Sequence, residues 1–210
     1  MIRGLREILP DNGKAFSSIL ISLKTRNFRL YFTGMCVSLT GTWMQQIAMS
    51  WLVYRLTGSV FLLATVTFMA QIPILLVTPL MSVFVDRFDR QKILILTQSL
   101  SMVQALSMAV LTLSGVIEVW HILILSLLIG CINALDNPTR QAFYPSLVAK
   151  EHLSNAIALN SAVINGSRLI GPAVGGVLIG IFGEGLCFLL NGISYLGVII
   201  ALSLMRLSPF

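Results

Sequence analysis

The sequence predicts an all-α membrane protein, a bundle of six transmembrane helices with both termini on the cytoplasmic side. Three observations lead there. Of the 210 residues, 56% are hydrophobic and only 10% charged, whereas soluble domains carry about 25% charged residues. The charges are also kept out of runs long enough to cross a bilayer, which takes roughly 20 mostly apolar residues. Finally, the basic residues gather in every second connection, the pattern that sets orientation in a membrane.

Residues 1–27 form a basic segment with Arg3, Arg6, Lys14, Lys24 and Arg26. Phe16, Ile19, Leu20 and Leu23 recur there at helical spacing, which suits either a short helix lying on the inner leaflet or a basic arm. The segment is too polar for the apolar core of a cleaved signal peptide. The bundle then occupies residues 28–206. Leu30 to Tyr54, Leu56 to Val85 and Ile93 to Ile117 hold no Asp, Glu, Lys or Arg. Trp120 to Phe143 is interrupted by Asp136 and Arg140, Leu153 to Phe182 by Arg168, and Gly185 to Met205 by nothing. Residues 207–210 read as the start of a truncated central linker.

Net charge is +6, which in a soluble chain would suggest nucleic acid as a partner. Its placement argues instead for topology and anionic lipid. Arg26 and Arg29 precede helix 1, Arg87, Arg90 and Lys92 follow helix 2, Arg140 and Lys150 lie at or after the end of helix 4, and Arg206 follows helix 6. The alternate connections hold Arg55, Glu118 and Glu184. Losing or adding one span would put basic loops on both faces, so the alternation checks the count. Trp51, Tyr54, Trp120 and His121 fall where an aromatic belt sits at the interface.

Cys36, Cys131 and Cys187 all lie inside spans with no Cys or His at metal-ligand spacing. They read as buried small hydrophobes, with no metal and no cofactor indicated. A membrane-embedded enzyme of the serine protease kind would need an intramembrane histidine to serve Ser194 in Gly192-Ile193-Ser194. His121 and His152 sit at or outside the boundary, and that alternative is set below transport.

Helix 5 carries the densest signal, "SRLIGPAVGGVLIG" from Ser167 to Gly180. Ser167, Gly171 and Gly175 fall four apart, so small residues line one face where a neighbouring helix can approach closely. Pro172 removes a backbone hydrogen bond, which membrane helices tolerate when neighbours satisfy the freed carbonyl. Pro79 and Pro172, each followed three residues later by Ser82 and Gly175, make a faint echo between segments of opposite direction, as in a 3+3 inverted repeat.

Asp136 and Arg168 are the ionisable residues placed deepest. Such groups usually face a cavity or a partner. Asp136 can reach Arg87 or Arg90 as a clasp, pair with Arg168, or carry a proton. Arg168 suits pairing within the bundle or holding an anionic substrate. Gln45, Gln46, Gln71, Asn133 and Asn137 can line a cavity or bond between helices, and Gln45 and Asn133 are taken as candidates for a substrate path.

Two motifs resemble the major facilitator superfamily. "GPAVGG" (Gly171 to Gly176) resembles its helix 5 antiporter motif, Gly-x-x-x-Gly-Pro-x-x-Gly-Gly, with Ser167 at the first glycine, so the motif residues are Ser167, Gly171, Pro172, Gly175 and Gly176. "SVFVDRFDRQK" (Ser82 to Lys92) resembles its loop 2–3 signature through Asp86, Arg87 and Arg90, while Ser82, Asp89 and Gln91 depart from it. "TGTWMQQIAMSWLVYRLTGS" (Thr40 to Ser59), "DNPTRQAF" (Asp136 to Phe143) and "ALNSAVINGSRLIGP" (Ala158 to Pro172) are similar to the branch of enterobactin and macrolide exporters.

The resemblance implies the N-terminal six-helix half of a secondary transporter in the bacterial inner membrane. Its work would be proton-driven export of a drug-like or siderophore-like small molecule by alternating access. It also implies that Asp86, Arg87, Arg90 and Asp136 form a latch on the cytoplasmic side. Such transporters hold their substrate between two six-helix halves. The chain therefore reads as a half that needs a separate second half or a second copy, or as a fragment unable to transport alone.

Overall fold

The computed structural model of the chain describes residues 21–85 and 87–205. The basic segment up to residue 20, Asp86 and Arg206 lie outside the described residues, as does the expected linker. Six long helices follow one another: α1 Arg26–Thr57, α2 Val60–Val85, α3 Arg90–Leu113, α4 Val119–Phe143, α5 Leu153–Phe182 and α6 Glu184–Leu204. Short 3-10 turns occupy Ile21–Lys24, Tyr144–Ser146 and Lys150–His152. No strand occurs among the described residues.

Local chemistry sets the boundaries. Gly58, at φ +62°, ends α1 in the left-handed conformation, and its N–H bonds the Tyr54 carbonyl. The Ser59 hydroxyl then accepts from Leu62 N–H to open α2, four residues later than the charge-free run suggested. Asp89 caps α3 by accepting from the N–H groups of Gln91 and Lys92, a common N-cap arrangement. Gly115, at φ +75°, lies just beyond the end of α3, so Ser114 to Ile117 belongs to the connection and not to the helix. Over residues 21–24 the expected α-helical periodicity gives way to a 3-10 turn. There Leu23 packs against the bundle and the Ser22 hydroxyl donates to the His152 carbonyl at 3.2 Å.

Helices α2 to α6 are long and apolar enough to cross a membrane. Helix α1 is not among them, although its 32 residues span about 48 Å at a rise of ~1.5 Å per residue. Its composition has a physical cause. It runs between two neighbours and buries Gly34, Ser38, Gly41 and Gln45 against them, so much of its polar surface meets protein.

The helices pack in the order α5, α1, α6, α3, α4, α2, with smaller contacts of α1 to α2 and to α4 curling the row into a bundle. The core has two apolar parts. One, at the end bearing the basic connections, joins Phe28, Tyr31, Leu94, Phe143, Tyr144 and Leu202. The other, at the far end, joins Leu52, Val66, Met108, Ile122, Cys187 and Phe188. A polar layer binds α1, α3 and α6 between them. Gln45 Nε2 donates to Gln104 Oε1 at 3.1 Å, and Asn191 Nδ2 donates to Gln45 Oε1 at 2.8 Å. Gln104 Nε2 extends the chain to the Leu125 carbonyl of α4 at 3.3 Å.

Removing the central donor should therefore be felt throughout the bundle. Asn191→Ala leaves a buried Gln45 oxygen unsatisfied, which costs roughly 1–3 kcal/mol. The midpoint of unfolding in a detergent titration should fall accordingly, and adding Gln45→Leu should not restore it, because Gln104 Oε1 then loses its donor in turn. An unchanged midpoint would show that the layer is dispensable.

Candidate functional site

The conspicuous chemistry lies along two seams, one at the basic end around α3 and α4 and one between α1 and α5. At the basic end, Asp89 caps α3, which explains why an acidic residue stands there among arginines. Capping also orients the first turn of α3, and its next two side chains reach other helix ends. Arg90 Nη1 donates to the Ala142 carbonyl near the end of α4 at 3.2 Å. Gln91 Nε2 donates to the Leu202 carbonyl near the end of α6 at 2.6 Å. Both carbonyls lie in the last turn of their helices, where the regular backbone donors run out, and that of Leu202 also accepts from Met205 N–H at 3.3 Å. The first turn of α3 thus ties itself to the last turns of α4 and α6.

Asp136, only 2% exposed, lies two turns deeper. Its carboxylate is paired with Arg140, one turn along the same helix. It also accepts from the Thr97 hydroxyl at 2.6 Å and from Gln98 Nε2 at 2.9 Å, both on α3. Arg140 Nη1 donates in turn to Met35 Sδ on α1 at 2.9 Å. The expected partners of Asp136 were Arg87, Arg90 or Arg168, and the structure corrects this to Arg140, Thr97 and Gln98. The reason is geometric, because residues four apart on a helix are already neighbours. Tyr31 packs edge-on against Phe143 and Tyr144, and the Tyr144 hydroxyl donates to Asn160, which carries the assembly across to α5.

Along the second seam, Ser167 is buried and its hydroxyl lies 3.2 Å from that of Thr40. A Cβ added to Gly171 would stand 2.5 Å from Trp43 Cβ and 2.8 Å from the Thr40 carbonyl oxygen. One on Gly175 would meet Ile47 Cγ2 at 2.8 Å. Much of what stands in the way is main chain or Cβ, which cannot swing aside, so only glycine permits this approach. Gly176, by contrast, has open space beside it. It faces a groove of about 460 Å³ lined also by Ile47, Trp51, Tyr54, Leu63 and Gly180.

The polar candidates divide. Gln45 is buried in the interhelical layer and does not line an open path. Asn133 is half-buried and Asn137 exposed. Arg168 is exposed, not enclosed by the bundle, and its guanidinium carbon lies 4.8 Å from the centre of the Trp43 ring. A charged side chain at the middle of a lipid-facing helix costs about 2.5–3.5 kcal/mol on insertion scales, so this face is ill suited to lipid. Ser194 donates to the Asn191 carbonyl at 2.7 Å, and His121 belongs to the capping box of α4 with Glu118 at the far end.

Two features escaped the sequence reading. Arg55 Nε donates to Glu184 Oε1 at 2.8 Å and its Nη2 to Oε2 at 3.3 Å, joining the far ends of α1 and α6. The signal was there in part, since the far-end connections hold one basic residue, Arg55, and two acidic ones, Glu118 and Glu184. The other is Trp43, an aromatic residue among polar neighbours too deep for the interfacial belt.

A family model described as transmembrane secretion effector matches residues 17–208. The staphyloferrin A transporter of Staphylococcus aureus (strain NCTC 8325 / PS 47) is 31% identical over 168 residues, which are 80% of this chain and 42% of that protein. Macrolide efflux protein A of Streptococcus pyogenes is 28% identical, covering 74% of this chain and 39% of the relative. The multidrug efflux pump Tap of Mycolicibacterium fortuitum is 25% identical, covering 77% and 41%. The chain thus spans about two fifths of the length of these relatives. No solved structure matches it.

The Asp136 pair makes a prediction that tests the clasp. Asp136→Asn strips the counter-charge from an Arg140 side chain that is only 18% exposed, and breaking such a pair costs about 3–5 kcal/mol. Thermal unfolding in detergent should show a large drop, largely restored by adding Arg140→Met. Unchanged stability would refute the clasp.

Proposed function

The chain belongs to the transmembrane secretion effector family of the major facilitator superfamily, and from that premise we propose that it forms one six-helix half of a small-molecule exporter. As a member it is a multi-pass protein of the plasma membrane. The observation that carries the half-transporter reading is the packing order. Exchange α1 with α4, α2 with α5 and α3 with α6, and the row α5, α1, α6, α3, α4, α2 becomes its own reverse. That is the neighbour pattern of two three-helix units related by a two-fold axis, the plan of alternating-access transporters.

In this reading α1 is the sixth span, tolerated in the membrane because α5 and α6 cover its polar residues. Both termini lie on the cytoplasmic side, since Arg26, Arg29, Arg87, Arg90, Lys92 and Lys150 share one end of the bundle while Arg55, Glu118 and Glu184 share the other. Asp86, Arg87 and Arg90 form the cytoplasmic latch, with the Asp136 clasp bracing the helix ends beside it. Ser167, Gly171, Pro172, Gly175 and Gly176 hold α5 against α1, so that the two move as one block. The polar and charged residues left open at mid-helix, Arg168 among them, face the transport path. Substrates are drug-like or siderophore-like molecules and the driving force is the proton gradient.

The chain spans about two fifths of its relatives, and in this reading transport needs a second six-helix half. In inverted vesicles, proton-gradient-dependent uptake of a fluorescent drug should appear when the chain is co-expressed with a matching C-terminal half. Arg90→Ala should cut the rate by roughly tenfold, about 1.4 kcal/mol in a rate constant, while leaving the amount of inserted protein unchanged. Drug uptake that ignores both the gradient and the second half would contradict this reading.

A further inference from the structure

Arg168 stands midway along α5, with about 20 Å of helix on either side at ~1.5 Å per residue. It is exposed, and among the described residues it forms neither an ion pair nor a hydrogen bond. What it has is Trp43, whose ring lies 4.8 Å from the guanidinium carbon, and Trp43 is itself pinned by the close approach of Gly171. A guanidinium over an indole gains a cation–π attraction yet keeps its in-plane N–H donors, the fork that matches a carboxylate in bidentate fashion. The ring thus attracts the guanidinium without occupying those donors. One turn further along α1 comes exposed Gln46, and next to it Ile47 opens the groove of about 460 Å³ lined by Trp51, Tyr54 and Gly176.

We propose that Arg168 on Trp43 is an anion-recognition site whose ligand is a carboxylate attached to an apolar body that lies in the adjoining groove. The charge selects the anion, and the aromatic, glycine-floored groove takes the rest. This rests on the reading that the α1–α5 face borders the transport path. The carboxylate has two sources, a transported organic acid or an acidic side chain of the second half, and in either case Arg168 is its partner.

The test compares 2-naphthoate with its neutral amide, by equilibrium dialysis against the chain in lipid nanodiscs, with and without a matching C-terminal half. The acid should bind roughly tenfold or more tightly than the amide. That preference should vanish in Arg168→Gln and survive in weakened form in Arg168→Lys, which keeps the charge and loses the fork. Trp43→Leu, which removes the ring beside the guanidinium and leaves the groove lining in place, should weaken the acid and leave the amide unchanged. Melting curves on the same samples separate lost binding from lost folding, and Arg168→Lys serves if Arg168→Gln is unstable. A preference kept with the second half present identifies a substrate acid; one present in the chain alone and lost with that half identifies an acidic side chain. Equal binding of acid and amide, or a preference unchanged in Arg168→Gln, overturns the proposal. Binding is read without transport, so loss of uptake with the preference intact would count against the export reading alone.

Discussion

The bundle depends on how closely the backbone of α1 can approach its two neighbours. Lipid tails are as apolar as leucine, so no hydrophobic force drives one membrane helix onto another, and association relies on close packing and interhelical hydrogen bonds. Helix α1 meets both needs. On one side, Gly34 brings it to the main chain of Gly197 and Val198, and Gly41 to Asn191 of α6. On the other, Gly171 and Gly175 of α5 come down on Thr40, Trp43, Met44 and Ile47. A methyl group at most of these positions would overlap a neighbour, and overpacking of this kind costs roughly 1–3 kcal/mol.

That approach also supplies the polar residues of α1 with protein partners. Gln45 is matched by Gln104 and Asn191, Thr40 by Ser167, and Arg55 by Glu184. At the basic end, Arg90 and Gln91 satisfy carbonyls at two helix ends while Asp136 and Arg140 neutralise each other between α3, α4 and α1. These bonds span the bundle from end to end, so its helices are fastened into one body. A body of this kind would swing against a partner half with little internal change, which suits the proposed alternation of access.

Much of this was legible in the sequence, for reasons that differ from place to place. Helix 5 was read at Leu153 to Phe182 and occupies those bounds, because the polar turn before it and Gly183 after it both mark ends. The small-residue face of that helix was visible from spacing alone, since four residues make about one turn. The end of helix 3 was placed too late because Val116 and Ile117 prolong the apolar run, although Ser114 and Gly115 had already closed the helix. Helix 1 starts a turn before the charge-free run, because Arg26 and Arg29 look like loop residues but belong to the helix. What spacing along one helix could not supply was the identity of cross-helix neighbours. Gln45 seemed equally fit for a cavity or for a partner, and only the packing of α3 and α6 decides it. Asp136 has its partner four residues away in Arg140, nearer than any arginine that separate segments offer. Arg168 could not be placed inside or outside the bundle without knowing that α1 covers the adjacent face.

The most direct test of the α1–α5 contact is disulfide formation in T40C/S167C, made in a variant lacking the three native cysteines and oxidised in native membranes. The two hydroxyl oxygens lie 3.2 Å apart, so the pair should cross-link rapidly and nearly completely, whereas moving the second cysteine to the exposed neighbour, as T40C/R168C, should slow it sharply. No cross-link in T40C/S167C, in a protein that is inserted and folded, would mean that α5 does not lie against α1, and the account built on that contact would fall.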